Sequence, residues 1–179
     1  CAWLAGPAPR TPTATPPRDS IRLRIEHEGT CWDLTGPTRC DLVDPAERAR
    51  IAGSLGPDPL RRGARPDRMV DRCARAAAPI GAVLLDQRVV AGIGNVYRAE
   101  ILFLRGIDPR RPARDLDEHE VTGIWDETVR LMRIGLRLGR IVTTDPAEVG
   151  RPRSRMRSDD RLYVYHRAHC RRCGEALLT

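Results

Sequence analysis

Two short groups of residues in this chain have the types and spacing to do chemistry. The first is Gly92-Ile-Gly94-Asn95, continuing as Val-Tyr-Arg-Ala-Glu100. Two glycines let backbone come close to a ligand and leave N–H groups pointing outward. Asn95 sits where an N-cap belongs, so a helix is expected to begin there. Exposed amides at a helix start form an anion site, and phosphate is the usual anion. The second group is Cys170-Arg-Arg-Cys173, a thiol pair at the spacing of half a tetrahedral zinc site. Competing readings exist for both. A dinucleotide fingerprint needs a third glycine where Tyr97 stands, and a strand ahead of the turn where a helix is expected. A capped helix corner with no ligand fits the spacing of the first group equally well. A thioredoxin-like dithiol at Cys170 and Cys173 lacks its βαβ context.

The elements that must position these groups can be read from period and punctuation. Residues 1–19 are rich in Pro, Thr and Ala and read as an irregular loop. Ile21, Leu23 and Ile25 alternate with Arg22, Arg24 and Glu26, the pattern of a half-buried strand. Cys31–Leu34 and Arg39–Val43 are expected to complete a short antiparallel meander. Asp44-Pro45 gives a helix start, and Gly56-Pro57-Asp58-Pro59 ends that helix at a domain boundary. From about residue 66 to 140 the pattern is helical, with one helix running to near Gln87 and the next from Asn95 to Arg105. A long helix follows. Six acids lie between Asp115 and Glu127, then Arg130, Arg133, Arg137 and Arg140, a polarity that suits the helix dipole. Val121, Ile124, Trp125, Val129, Met132 and Leu136 form its apolar stripe, with Trp125 and Met132 read as core.

Composition sets the outer bounds. The chain has 179 residues, 31 basic against 24 acidic, and a net charge of +7. No lysine occurs, so every basic side chain is Arg and a lysine nucleophile is excluded. No apolar run nears the ~20 residues of a membrane span. Cys1, Cys31, Cys40 and Cys73 are scattered singly, which argues for thiols rather than a disulfide framework and for a cytoplasmic setting. Residues 151–179 carry eight Arg against Asp159, Asp160 and Glu175, and are expected to lie along a phosphate backbone rather than in a core. The start at Cys1 and the stop soon after Cys173 suggest a fragment.

Leu85-Asp-Gln-Arg-Val-Val-Ala-Gly-Ile-Gly-Asn95-Val-Tyr-Arg-Ala-Glu100, through Gly106-Ile-Asp-Pro109, resembles the helix–two-turns–helix of the formamidopyrimidine-DNA glycosylase/endonuclease VIII family. Leu55-Gly-Pro-Asp-Pro-Leu60 resembles the family's link between domains. Tyr163-Val-Tyr-His-Arg and Cys170-Arg-Arg-Cys-Gly174 resemble the opening of its zinc finger. The likeness covers roughly residues 20–179 and is nearer the endonuclease VIII branch.

The resemblance implies an α+β fold. Residues 1–56 would be the C-terminal part of a β-sandwich glycosylase domain, left with exposed edges if its partner strands are missing. Residues 57–148 would be the helical DNA-binding domain, and 149–179 an Arg-rich linker with a partial zinc-finger hairpin. The activity it implies is base-excision repair, in which a damaged base is flipped out of duplex DNA and cut away, and the strand is then cleaved at the abasic site. The intact protein would be a bifunctional DNA glycosylase and abasic-site lyase. Its partner would be double-stranded DNA carrying damaged bases or abasic sites, with the protein a monomer, cytoplasmic and nucleoid-associated. The phosphate backbone would be held by Asn95 and the amide of Gly94, with Arg75 and Arg39 as further basic contacts. Cys170 and Cys173 would supply half of a four-cysteine Zn2+ site; His166 and His169 match no ligand of the family. The nucleophilic proline amine and its partner glutamate would lie ahead of Cys1, so no catalytic residue is assigned within the chain. The rival class is a non-catalytic nucleic-acid-binding protein, since the same helix pair occurs in a ribosomal protein that meets RNA.

Overall fold

A computed structural model describes residues 18–27, 30–37 and 40–177. The chain divides between Ala52 and Gly53 into two compact units.

In the first unit, strands β1 (Ile21–His27) and β2 (Thr30–Thr35) pair antiparallel. Leu23 faces Leu34 and Ile25 faces Trp32, while Arg24 faces Asp33 on the other side of the ribbon. The Arg24 guanidinium grips Asp33 with two bonds of 2.7 and 2.9 Å, and this contact holds the Asp33 carboxyl below its ordinary range. The expected third segment of the meander does not form: residues 40–44 have no regular structure. Helix α1 (Pro45–Ser54) starts as its sequence predicts, with the Asp44 carboxylate accepting from the Glu47 amide at 2.7 Å.

In the second unit the sequence pattern departs from the structure at Pro79. In place of one helix to Gln87 there are two, α2 (Asp67–Arg75) and the single turn α3 (Ile80–Val83). Proline biases the residue before it away from helix, and Pro79 instead bridges to Pro112 in extended geometry. Helices α4 (Asn95–Arg105) and α5 (Glu118–Leu138) follow, then the short α6 (Pro146–Val149). Helix α5 opens with a capping box: the Glu120 amide donates to Asp117 at 2.7 Å and the Asp117 amide donates to Glu120 at 2.9 Å. It packs against both α2 and α4. The core between them includes Met69, Cys73, Ile80, Leu84, Ile101, Ile124 and Leu131. Trp125 and Met132 are buried there as expected, whereas Leu136 is 70% exposed. At the end of α5 the inward side has turned to Leu131, Ile134 and Gly135, and Leu136 is left outside.

Residues 140–176 also belong to this unit, and the expectation that the Arg-rich segment stays out of a core is corrected here. Tyr163 and Met156 are buried. The Glu100 carboxylate, fully buried on α4, accepts from the amides of Tyr163, Val164 and Tyr165 at 2.7–2.8 Å and from the Thr143 hydroxyl. The Tyr163 hydroxyl accepts from the Asp145 amide at 2.9 Å, and its ring lies against Phe103 with Arg172 stacked over it at 4.7 Å. Arg151, Arg161, Arg167, Arg171 and Arg172 all bond to carbonyls or carboxylates of the protein. The arginines are therefore consumed mainly in folding this segment. Among the described residues no helix is long and apolar enough to cross a membrane.

Two expectations follow. Glu100→Gln turns an amide NH2 toward at least one backbone N–H that now meets an oxygen. It should cost about 2–4 kcal/mol in urea unfolding and raise hydrogen exchange at residues 163–165. Burial pushes the Cys73 thiol up to about 11 from 9.0. Because that pKa is raised on folding, its contribution is intact below pH ~9 and is lost as pH climbs through ~11. Wild type should then lose about 2–3 kcal/mol more than Cys73→Ala between pH 8 and 11.5.

Candidate nucleic-acid interface

The loop between α3 and α4 is built around the side chain of Gln87. Its Nε2 donates to the carbonyls of Leu85 (3.1 Å) and Ile93 (2.9 Å), and its Oε1 accepts from the Gly92 amide (2.8 Å). One amide side chain thus ties the first turn to the second. Asp86 shapes the first turn by accepting from the Arg88 amide and guanidinium, both at 2.9 Å. Those bonds, the guanidinium first, hold the Asp86 carboxyl below its ordinary range. Gly92 makes the second turn in the left-handed region, φ +92, directly over the Met132 side chain.

The Leu55–Leu60 segment braces this loop from outside. The Gly56 amide donates to the Gln87 carbonyl at 2.8 Å, and the Ala91 amide donates to the Pro57 carbonyl at 3.1 Å. Glycine is required at 56, because a Cβ there would come within 2.5 Å of the Val89 carbonyl carbon. Asp58 closes its own turn by accepting from the Leu60 amide at 2.9 Å.

Gly94, not Asn95, is the N-cap of α4, with extended backbone at φ −118 and ψ −174. Asn95 is the first helical residue. Glycine offers no side-chain cap, so the amides of the first turn of α4 lack the intrahelical partners that later turns have. Freed from capping, the Asn95 side chain makes no hydrogen bond among the described residues. Gly94 and Asn95 are both exposed. The helix dipole adds a positive partial charge at this point. The arrangement suits a singly or doubly charged oxyanion: amides on one side, a neutral donor side chain beside them.

Helix α5 fixes the aim of this helix start. Tyr97 crosses α5 at Gly135, where any Cβ would overlap its hydroxyl, and Arg105 crosses at Gly123 in the same way.

Arg75 stands exposed at the end of α2, with no ion-pair partner among the described residues. It lines an open cleft with Arg72, Ala76, Val83, Asp86 and Val89. The structure therefore brings Arg75 to the first turn of the loop; Asn95 does not line that cleft. Arg39 lies outside the described residues.

Cys170 and Cys173 sit on a tight hairpin. The Cys170 amide donates to the Glu175 carbonyl at 2.8 Å, the Gly174 amide donates to the Cys170 carbonyl at 2.9 Å, and Gly174 is left-handed at φ +78. Burial opposes ionisation of Cys170. The Cys173 and Arg172 amides directed at its sulfur, the Cys173 thiol and the Arg172 charge outweigh it, and the thiol titrates below its ordinary range. A stabilised Cys170 thiolate with a second cysteine three residues on, across a tight turn, is what one half of a tetrahedral zinc site requires. Among the described residues no group of three or more His, Cys, Asp or Glu gathers around it.

Sequence reasoning passed over Gln87 and Gly56, and Glu100 carried no role there. None of the three announces a partner by spacing alone: Gln87 sits between two charged residues, Gly56 in a turn-forming run, and Glu100 on a helix. Gln87→Ala should cost about 1–3 kcal/mol and speed exchange of the Gly92 amide well beyond that of the α5 core.

Residues 55–147 match the formamidopyrimidine-DNA glycosylase H2TH domain family. Over 165 residues the chain is 42% identical to endonuclease 8 1 of Mycobacterium tuberculosis, covering 91% of this chain and 62% of that relative. It therefore spans about three fifths of the relative's length. The crystal structure of MutM (Fpg) from Thermus thermophilus superposes with a TM-score of 0.66 at 27% identity, over 90% of this chain and 63% of that one. A Lactococcus lactis Fpg, solved in complex with DNA containing an abasic site, shares the fold with a TM-score of 0.62 at 20% identity, over 91% of this chain and 62% of that one. The domain match takes in just over half of the residues. With its order of link, two-turn loop and cysteine hairpin, the chain belongs to the formamidopyrimidine-DNA glycosylase/endonuclease VIII family, on the endonuclease VIII side.

Proposed function

We propose that the intact protein is a bifunctional DNA glycosylase and abasic-site lyase that removes oxidised bases in base-excision repair. The observation that carries this reading is the start of α4: Gly94 and Asn95 exposed, and the Asn95 side chain unspent within the protein. The Gly94 amide and Asn95 hold a backbone phosphate beside the lesion. Arg75, and Arg39 ahead of the helical domain, add cationic contacts along the duplex. The partner is double-stranded DNA with a damaged base or abasic site, and the abasic-site DNA held by the Lactococcus relative supports that class of ligand.

Extruding a base costs stacking and pairing energy, and phosphate contacts on either side of the lesion offset it. The reacting amine in this proposal is an N-terminal proline ahead of Cys1: it bonds to the anomeric sugar carbon as the glycosidic bond breaks and the base leaves, and ring opening gives the Schiff base that permits elimination of the 3′ phosphate. A glutamate beside it moves the proton. The residues described here do the holding, and none of them is assigned to bond-making.

Cys170 and Cys173 are proposed as half of a four-cysteine Zn2+ site. Zinc there supplies rigidity to the hairpin and takes no part in the reaction. The domain division proposed is a sandwich portion over 1–56, the DNA-gripping helices over 57–148, and the Arg-rich segment with its hairpin over 149–179. The protein is proposed to act as a monomer in the cytoplasm, associated with the nucleoid through DNA.

The test is equilibrium binding to a duplex with a stable abasic-site analogue, beside the undamaged duplex and a matched RNA duplex, at two salt concentrations. Wild type should prefer the abasic duplex. Asn95→Ala should weaken that binding about tenfold or more, the cost of one hydrogen bond to a charged group, and erase the preference. Equal and steeply salt-dependent binding to all three would overturn the reading and leave a generic basic surface.

A further inference from the structure

Among the described residues one non-glycine residue has a positive φ: His166, at +54. It lies in a four-residue turn, in which the Arg167 amide donates to the Val164 carbonyl at 3.2 Å. His166 therefore occupies the third position of a β-turn with a left-handed φ, where glycine is the usual residue. A histidine there holds a backbone conformation that glycine would take without strain.

The turn cannot relax by shifting. Just before it, the amides of Val164 and Tyr165 are pinned at 2.8 Å to the buried Glu100 carboxylate. Just after it, Arg167 is tied to the carbonyls of Leu162 and Asp159. The strain is thus maintained by contacts on both sides. Residues held in this way cluster where a side chain has something to touch.

The imidazole itself is exposed and makes no hydrogen bond among the described residues. Its ring lies on Tyr165, centroids 4.3 Å apart and planes tilted by 35°, which fixes its orientation. Its surroundings in sequence are cationic: from Arg161 to Cys173 there are four Arg, two His and no acid. Those arginines are already bonded to the protein. That leaves His166 as an oriented, uncommitted donor in an acid-free stretch.

From this juxtaposition we infer that His166 is a nucleic-acid contact, its ring N–H donating to a backbone phosphate, with Tyr165 as the platform that orients it. The inference rests on the DNA-binding reading above. It adds a second anchor, carried on the segment that Glu100 holds to α4, to the one at Asn95.

The experiment pairs thermal melts with equilibrium binding to the abasic-analogue duplex, for wild type, His166→Gly, His166→Phe, His166→Asn and Asn95→Ala. His166→Gly should melt a few degrees higher and bind about tenfold more weakly. His166→Phe keeps the stacked ring but has no donor, so its affinity should fall as far. His166→Asn tolerates the left-handed backbone and keeps a donor, and should retain most of the affinity. A His166→Gly variant that binds like wild type overturns the inference, as does one that melts no higher. Wild-type binding that still depends on Asn95 would then leave the DNA-binding reading standing. If wild type shows no preference and Asn95→Ala has no effect, both fall together.

Discussion

A single buried carboxylate ties the two working ends of the second unit together. Glu100 sits halfway along α4, out of contact with water, and its two oxygens are met by three consecutive backbone amides and a hydroxyl. A buried carboxyl group in such a place is tolerable only when its lone pairs are satisfied. The amides in turn have no partner of their own if the carboxylate is removed. Each side therefore makes the other affordable. The consequence is positional: α4 begins at the two-turn loop and, through Glu100, also sets where residues 163–165 lie.

The turn itself shows a comparable division of labour. Groups that touch solvent, the Gly94 and Asn95 backbone and the Asn95 side chain, make few internal bonds. Groups that make many, Gln87, Asp86 and the Gly56–Pro57 backbone, hold the turn in place behind them. Anion binding by backbone amides depends on such preorganisation, because amides that must be ordered at the moment of binding lose much of the gain. The Leu55–Leu60 segment is more than a connector. Its hydrogen bonds to Gln87 and Ala91 make it part of the turn's support.

Much of this is legible in the residues. The N-cap at Asp44, the acid-to-base polarity of α5, the core placement of Trp125 and Met132 and the two-turn loop all follow from local rules that act over a few residues. The departures have identifiable causes. Pro79 breaks what the apolar pattern reads as one helix, because pattern does not register a missing N–H. The cap of α4 falls one position ahead of Asn95, since glycine also serves as an N-cap and leaves asparagine free. The Arg-rich segment reads as lying outside any core because its apolar anchors, Met156 and Tyr163, are isolated in sequence and find their partners far along the chain. Glu100 is invisible for the same reason: its partners lie more than forty residues away.

Helix α5 contains two notches, Gly123 under Arg105 and Gly135 under Tyr97, at the two ends of α4. The Tyr97 ring seated at the Gly135 notch opposes sliding of α4 along α5, with the Arg105 guanidinium lying over Gly123 at the other end. Tyr97 lies two residues from Asn95, so the direction in which the start of α4 faces is inherited from α5, the longest of the described helices. The exposed amides at the start of α4 are therefore aimed by how one helix packs on another, and not by the loop that carries them.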